Sequence, residues 1–204
     1  MSKVKLIWST PDGENLIAYM ARVSNPENQD SKETAPKLLK YLIDNKHWSP
    51  FEMVNVCMEI ETTRDIARQI LRHRSFSFQE FSQRYAISSR YETSEVRMQD
   101  NKNRQNSIPV QDRELIKVWE DLQTDVLITA KRSYEAALGM GIAKEVARKV
   151  LPEGLTTSRM YANASLRSWL HYIEVRCDKA TQKEHREVAE QCREIIKSLF
   201  PSLF

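Results

Sequence analysis

Glycine is scarce in this chain, with four residues in 204, where ordinary usage gives roughly three times as many. Backbone cradles for nucleotides need several glycines at fixed spacing after a strand. Neither that pattern nor G-x-x-x-x-G-K-[ST] is present. Gly139-Met140-Gly141 falls at the end of a helical pattern, where C-terminal capping is its expected use. Cysteine is also sparse. Cys57, Cys177 and Cys192 are an odd number without C-x-x-C spacing, indicating neither a disulfide framework nor a zinc knuckle and suiting a reducing compartment. No long hydrophobic run occurs. Leu6-Ile7-Trp8 is far short of a signal core and no window approaches a membrane span, so the expectation is a soluble cytoplasmic protein. Nor is there an excess of one charge: 31 basic against 28 acidic residues give +3, too balanced to argue for nucleic acid or a membrane surface as partner.

With 41% apolar residues the chain can bury a real core, and no repeat or linker divides it, so residues 1–204 read as one domain. Val4–Trp8 reads as a strand. Asp12 is placed to cap a short helix bearing Leu16, Ile17 and Met20, and a second helix spans about Glu33–Asn45. After His47-Trp48-Ser49-Pro50, Phe51–Ile60 alternates as a strand. From Thr63 the period becomes helical, with Ile66, Ala67, Ile70 and Leu71 on one side and Arg64, Arg68 and Arg72 on another. Ser75–Arg90 reads as loop entering a strand near Tyr85–Ser89, and Glu92–Pro109 as a polar surface loop. A long helix, about Asp112–Leu138, is expected to turn Leu115, Val118, Trp119, Leu122 and Val126 inward. A short one runs from Ile142 to Val150, stopped by Pro152. Tyr161 begins a third helical tract burying Leu166, Trp169, Leu170 and Ile173, and Lys183–Leu199 is the last helix. The expected fold is α+β: a helix-rich single domain around a small, mainly antiparallel sheet.

Two segments concentrate chemistry. Arg72-His73-Arg74 at a helix end must splay in different directions, so their heads can surround one extended anion; the bland alternative is a solvated basic end complementing the helix dipole. Then Glu80, Ser82 and Arg84 follow at spacing two, which in extended chain puts acceptor, hydroxyl and cation on one side. Between Arg64 and Arg104 there are eight arginines and one lysine against five acids.

Arg72-His73-Arg74, seven residues and Ser82 form R-H-R-x7-S, and with the surrounding R-Q-x-x-R-H-R and E-x-S-x-R-Y the chain resembles the flavin-dependent thymidylate synthases. Further counterparts are Ala21-Arg22-Val23-Ser24, Ser49-Pro50-Phe51-Glu52, Ala147-Arg148 before Leu151-Pro152, and Arg176 followed by Thr181-Gln182 and Glu184-His185-Arg186. The segments 97–106 and 166–172 resemble a variant branch seen in some bacteria and phages, which implies the host cytoplasm if the chain is phage-encoded. The resemblance implies methylation of dUMP at C5 to give dTMP, with methylenetetrahydrofolate as carbon donor, FAD as hydride carrier and NADPH as reductant, in a homotetramer whose sites lie at subunit junctions. No nucleic acid, membrane or metal is implied. Carried over by position, FAD contacts fall on Ser24, Asn55, Arg72, His73, Arg74, Glu80, Ser165, Leu166, Arg167 and His171. Those for dUMP fall on Gln69, Ile70, Leu71, Arg72, Glu80, Phe81, Ser82, Gln83, Arg84, Arg148 and Arg176, some supplied by a neighbouring subunit. Arg176 and Ser82 carry the catalytic expectation, Arg176 by favouring N3-ionised uracil and Ser82 by hydrogen bonding to substrate. With so little glycine, arginine side chains must anchor the phosphates, Arg84 and Arg148 that of the nucleotide.

The classical thymidylate synthase adds a cysteine thiolate to uracil. Here Cys57 falls in a buried strand, Cys192 on an apolar helix face, and Cys177 lacks the Pro-Cys-His setting, so no cysteine nucleophile is expected. The match departs where Met53 replaces a histidine, Asn55 a threonine and Ala180 a histidine. Anchoring the alignment on Arg176 pairs Arg167 and His171 with flavin positions; anchoring on Asn163 shifts it by two. A competing reading is a non-enzymatic nucleotide- or RNA-binding protein using Arg64–Arg104, with Phe76, Phe78, Phe81 and Tyr85 as stacking platforms.

Overall fold

The computed structural model describes residues 2–204. Its elements run β1 (Lys3–Ser9), α1 (Gly13–Ala21), α2 (Ala35–Asp44), β2 (Asn55–Thr63), α3 (Arg64–Ile70), β3 (Ser77–Glu80), β4 (Arg97–Gln99), β5 (Ser107–Pro109), α4 (Arg113–Gly139), α5 (Lys144–Ala147), β6 (Thr157–Ser165), α6 (Leu166–Arg176) and α7 (Lys183–Leu199). Short 3-10 turns occupy Pro26–Asn28, Ser49–Met53, Arg148–Val150 and Pro201–Leu203. The main sheet has the order β1-β2-β6-β3, every pair antiparallel, and β4-β5 form a separate hairpin. This is the expected α+β class.

Alternation explains the sheet. On β2, Val56, Met58 and Ile60 are fully buried while Asn55, Glu59 and Glu61 face outward; on β6, Met160, Ala162 and Ala164 pack beside them. Period two puts one face under the helices and leaves the other to solvent, as antiparallel sheets allow. The covering layer comes from α3, α6 and α7, whose Ile66, Ile70, Trp169, Val188 and Ile196 join the same core. Trp169 also donates its indole N–H to the Val56 carbonyl at 2.9 Å, so its one polar atom is satisfied.

Two junctions place the site. Strand β2 passes directly into α3, and β6 into α6. Because Asn55 pairs with Ser165 and Thr63 with Thr157, the two helices leave from opposite ends of one ladder. Their C-terminal ends meet over the sheet, where helix dipoles favour cations.

Several expectations are corrected. Phe51 lies in the 3-10 turn and the strand starts at Asn55. Tyr161 belongs to the central strand β6, not to a helix; Ser158, Ala162 and Ala164 are too small to announce an inward face, and pairing with β2 and β3 on both sides overrides their helical preference. The strand expected near Tyr85–Ser89 lies earlier, at Ser77–Glu80, and the polar stretch after Glu92 contains a hairpin. Asp12 precedes α1 but does not cap it: in the left-handed region (φ 52°), its carboxylate takes Asn15 and Lys32 instead.

The largest correction concerns α4. Asp112 caps it as expected, accepting from the Glu114 and Leu115 amides. Val118, Trp119, Leu122 and Val126, expected inward, are exposed, and the buried residues are Gln123, Ala130, Tyr134 and Ala137. The apolar stripe has the right period, but only Trp119 is tied down among the described residues, its indole donating to the Ser94 carbonyl at 3.0 Å, while Val118, Leu122 and Val126 stay exposed. Two glycines are structurally required: Gly141 ends α4 at φ 79°, and a Cβ on Gly13 would stand 2.6 Å from the Phe200 ring.

Candidate active site

At the meeting of α3 and α6, Arg176 donates from Nε to Nε2 of His73 across 2.9 Å. An imidazole nitrogen that accepts carries no proton, so His73 is neutral with its hydrogen on Nδ1. Burial first, then the neighbouring Arg176, His171 and Arg72, push its pKa down to about 4. Its ring packs edge-on to Tyr172 (4.9 Å) and Phe76 (6.0 Å). Beneath it lies fully buried His185, pushed down to about 3 by burial and by Arg176 and His73. Gln69 touches this group, its Oε1 3.2 Å from His185 Nδ1 and its Nε2 donating to Gln182 at 2.8 Å.

Arg72 and Arg74 flank His73 and are exposed. Among the described residues neither forms an ion pair with a carboxylate, unlike Arg64, Arg68, Arg84, Arg90 and Arg97. That difference bears on the basic stretch as a whole. Five of its eight arginines are paired with acids, four of them with acids from elsewhere in the chain, so it is not a continuous positive track of the kind RNA needs. Phe76 and Phe78 are stacked on each other at 5.8 Å and packed against the core, with Phe76 edge-on to Trp169; of the four candidate platforms only Tyr85 is strongly exposed.

A second group forms after β3. Glu80 receives Ser158 Oγ at 2.6 Å and Arg64 Nη1 at 3.4 Å, both on Oε1. The chain then turns: Ser82 Oγ accepts the Arg84 amide at 3.3 Å, and its carbonyl accepts from Tyr85 and Ala86. The expected extended run through Ser82 and Arg84 therefore stops at Glu80, because a serine offering this local bond favours a turn. No histidine or carboxylate hydrogen-bonds Ser82 among the described residues, so nothing activates it as a nucleophile. Gln83 is buried against Ser88, and Arg84 reaches Glu145 on α5, one turn before half-buried Arg148.

The third group surrounds the start of α6. Ser165 and Arg167 both bind Glu52, Arg167 at 2.7 Å, and these bonds hold the Glu52 carboxyl below its ordinary range, the Ser165 bond most. Asn55 is the cross-strand partner of Ser165. Arg167, His171 and Glu174 are exposed together, opposite buried Trp169 and Ile173, as the helical face predicts.

Not every candidate joins these groups. Ile70 and Leu166 are core side chains and can offer a ligand only main chain; Leu71 is packed against the same core, and Phe81 is half-buried. Ser24 is exposed beyond α1, which packs on α2 and the Ser49–Met53 turn. Among the described residues no hydrogen bond or ion pair links the three groups within one protomer. Sequence reading gave no role to Glu52, Ser158, Gln182 or His185, although the S-P-F-E, T-Q and E-H-R matches had flagged three of the four. All three thiols are pushed upward by burial, Cys192 completely enclosed, the opposite of a reactive setting.

Residues 5–202 match the family described as thymidylate synthase complementing protein. A flavin-dependent thymidylate synthase from Synechocystis sp. is 53% identical over 190 residues, 93% of this chain and 87% of that protein. A probable flavin-dependent thymidylate synthase from Paramecium bursaria Chlorella virus 1 is 48% identical over 191 residues, 93% and 88% of the two chains. Among solved structures, the UMP/dUMP methylase PolB from Streptomyces cacaoi bound with 5-Br dUMP superposes with a TM-score of 0.86 at 26% identity, covering 100% of this chain and 93% of the other. Half-buried His73, buried His185 and exposed Arg72 and Arg74 thus belong to a member of the flavin-dependent thymidylate synthase family.

Proposed function

We propose that the protein methylates dUMP at C5 to give dTMP, with FAD as bound flavin, methylenetetrahydrofolate as carbon donor and NADPH as reductant. The observation that carries this reading is the His73–Arg176 pair flanked by unpaired Arg72 and Arg74. Two forked cations with no internal carboxylate suit a pyrophosphate, and the Glu52-fixed Ser165 and Arg167 with exposed His171 offer a second contact for the same flavin. When bound, the flavin supplies the hydride that reduces the transferred carbon.

The chain's own residues do the rest. Arg176 spends Nε on His73, which orients its two terminal amino groups toward the uracil edge, where they stabilise negative charge at N3 and its carbonyls. Glu80, with Oε1 held by Ser158 and Arg64, keeps Oε2 as a fixed acceptor. The Ser82 hydroxyl donates to substrate without attacking it. Arg84 exchanges its exposed bond to Glu145 for the nucleotide phosphate, at small cost because such surface pairs are weak, and Arg148 supplies the second fork.

Ser24, exposed beyond α1, and the three groups, joined by no hydrogen bond or ion pair among the described residues, suit a shared site completed by neighbouring copies. A second copy on the exposed Val118, Trp119, Leu122 and Val126 stripe of α4 would bury surface that monomers rarely leave open; four copies complete the proposed tetramer. Incubating the flavin-loaded protein with dUMP, methylenetetrahydrofolate and NADPH should yield dTMP. A parallel incubation with UMP tests the sugar preference, since PolB has also been solved with 5-Br UMP. Loaded protein that forms no methylated product overturns the reading.

A further inference from the structure

The orientation of the Gln69 amide can be worked out from its neighbours. Gln182 Nε2 donates to Glu184 Oε2 at 3.1 Å, and an ionised carboxylate only accepts. Its Oε1 is therefore the atom that receives Gln69 Nε2 at 2.8 Å. That turns Gln69 Oε1 toward His185 Nδ1, 3.2 Å away. Two acceptors cannot bond, so Nδ1 carries the His185 proton. The far end is anchored by Arg97 of the hairpin, which donates to Glu184 Oε1 at 2.6 Å from a side chain only 13% exposed.

His185 is fully buried, its Nε2 has no hydrogen-bond partner, and its ring lies 6.4 Å from that of His73 and 5.8 Å from that of Tyr172. Burying a polar ring with one nitrogen unsatisfied is costly, and an aliphatic side chain would avoid that cost. Among the described residues, the one hydrogen bond its side chain makes is to Gln69.

We propose that His185 is a positioning residue: the series Glu184–Gln182–Gln69–His185 locks the Gln69 amide in one orientation, reserving its second Nε2 hydrogen for an acceptor oxygen of the nucleotide. The inference rests on the reading above that Gln69 borders dUMP. His185 touches neither substrate nor flavin and acts through Gln69 alone. A free glutamine amide would turn to offer donor or acceptor; this one offers only a donor.

The test uses flavin-loaded, full-length protein and steady-state kinetics in dUMP. Gln69→Leu should raise KM roughly 3- to 10-fold, the scale of one buried hydrogen bond. His185→Leu and Gln182→Leu should reproduce most of that rise with kcat little changed. His185→Asn should restore KM, since its amide N–H can stand where Nδ1–H stood. Gln182 is exposed, so its variant remains informative if His185→Leu fails to load flavin. Long-range proton–nitrogen NMR should find His185 protonated on Nδ1. A raised KM in Gln69→Leu with wild-type KM in both other leucine variants overturns the relay. Wild-type KM in Gln69→Leu with the Nδ1–H signal intact leaves the hydrogen-bond series standing but overturns the placing of Gln69 at the nucleotide, and the proposal with it.

Discussion

Arg176 and His73, 103 positions apart, share a 2.9 Å hydrogen bond in which the guanidinium donates and the imidazole accepts. The bond is possible only while His73 is neutral, and it joins the ends of two helices that start from opposite ends of the β2–β6 ladder. It also sets the direction in which Arg176 presents its remaining donors. His73 can donate from Nδ1, but its Nε2 is committed and cannot serve as a base while the pair is intact.

Half-buried His73 and buried His185 make stability pH-dependent with a definite sign. Both have folded pKa values below the ordinary 6.5, at about 4 for His73 and about 3 for His185. On acidification the unfolded chain takes up protons that the folded chain refuses. Stability should be complete above about pH 6.5 and be lost progressively as the pH falls toward 4 and 3. Denaturant midpoints measured across that range should fall with pH, and less steeply in His185→Leu. A midpoint that rises on acidification would contradict the assignment.

Arg84→Ala and Arg148→Ala should each weaken dUMP binding roughly 10- to 100-fold, the range for hydrogen bonds to charged groups, with flavin content unchanged. Calorimetric titration together with the flavin absorbance of the purified variants measures both. Loss of flavin with unchanged dUMP affinity would assign these arginines to the other ligand.

Leu122→Glu should disrupt the proposed contact between copies, because a carboxylate on the α4 stripe would have to be buried unpaired. Light scattering should then report a smaller species than the tetramer proposed for the wild type, accompanied by loss of dTMP formation. A wild-type protein that is monomeric, or a variant with unchanged mass, would remove α4 from the interface.

How much of this was legible in the sequence depended on where the burying partner lies. Helices α2 and α7 carry strong periods buried by their own neighbours, β1 rests half-buried on the same core through Val4 and Leu6, and the last helix matches Lys183–Leu199 at both ends. Strand β6 was hidden because its inward residues, Met160 apart, are small and its pairing is non-local. On α4 the period was correct and the direction wrong, since a period shows that a face is apolar without showing what covers it. The site divided similarly. Contiguous motifs such as Arg72-His73-Arg74 were visible, whereas the Glu52–Ser165 and Ser158–Glu80 bonds join positions 113 and 78 apart, and the turn at Ser82 broke the spacing that had made Glu80, Ser82 and Arg84 look like one row.

The most direct test of the account is tritium release from C5-labelled dUMP by the flavin-loaded protein supplied with methylenetetrahydrofolate and NADPH. Methyl transfer to C5 must expel the hydrogen there, so the account predicts tritium in water in step with dTMP. Retention of the label by protein with flavin demonstrably bound would contradict it.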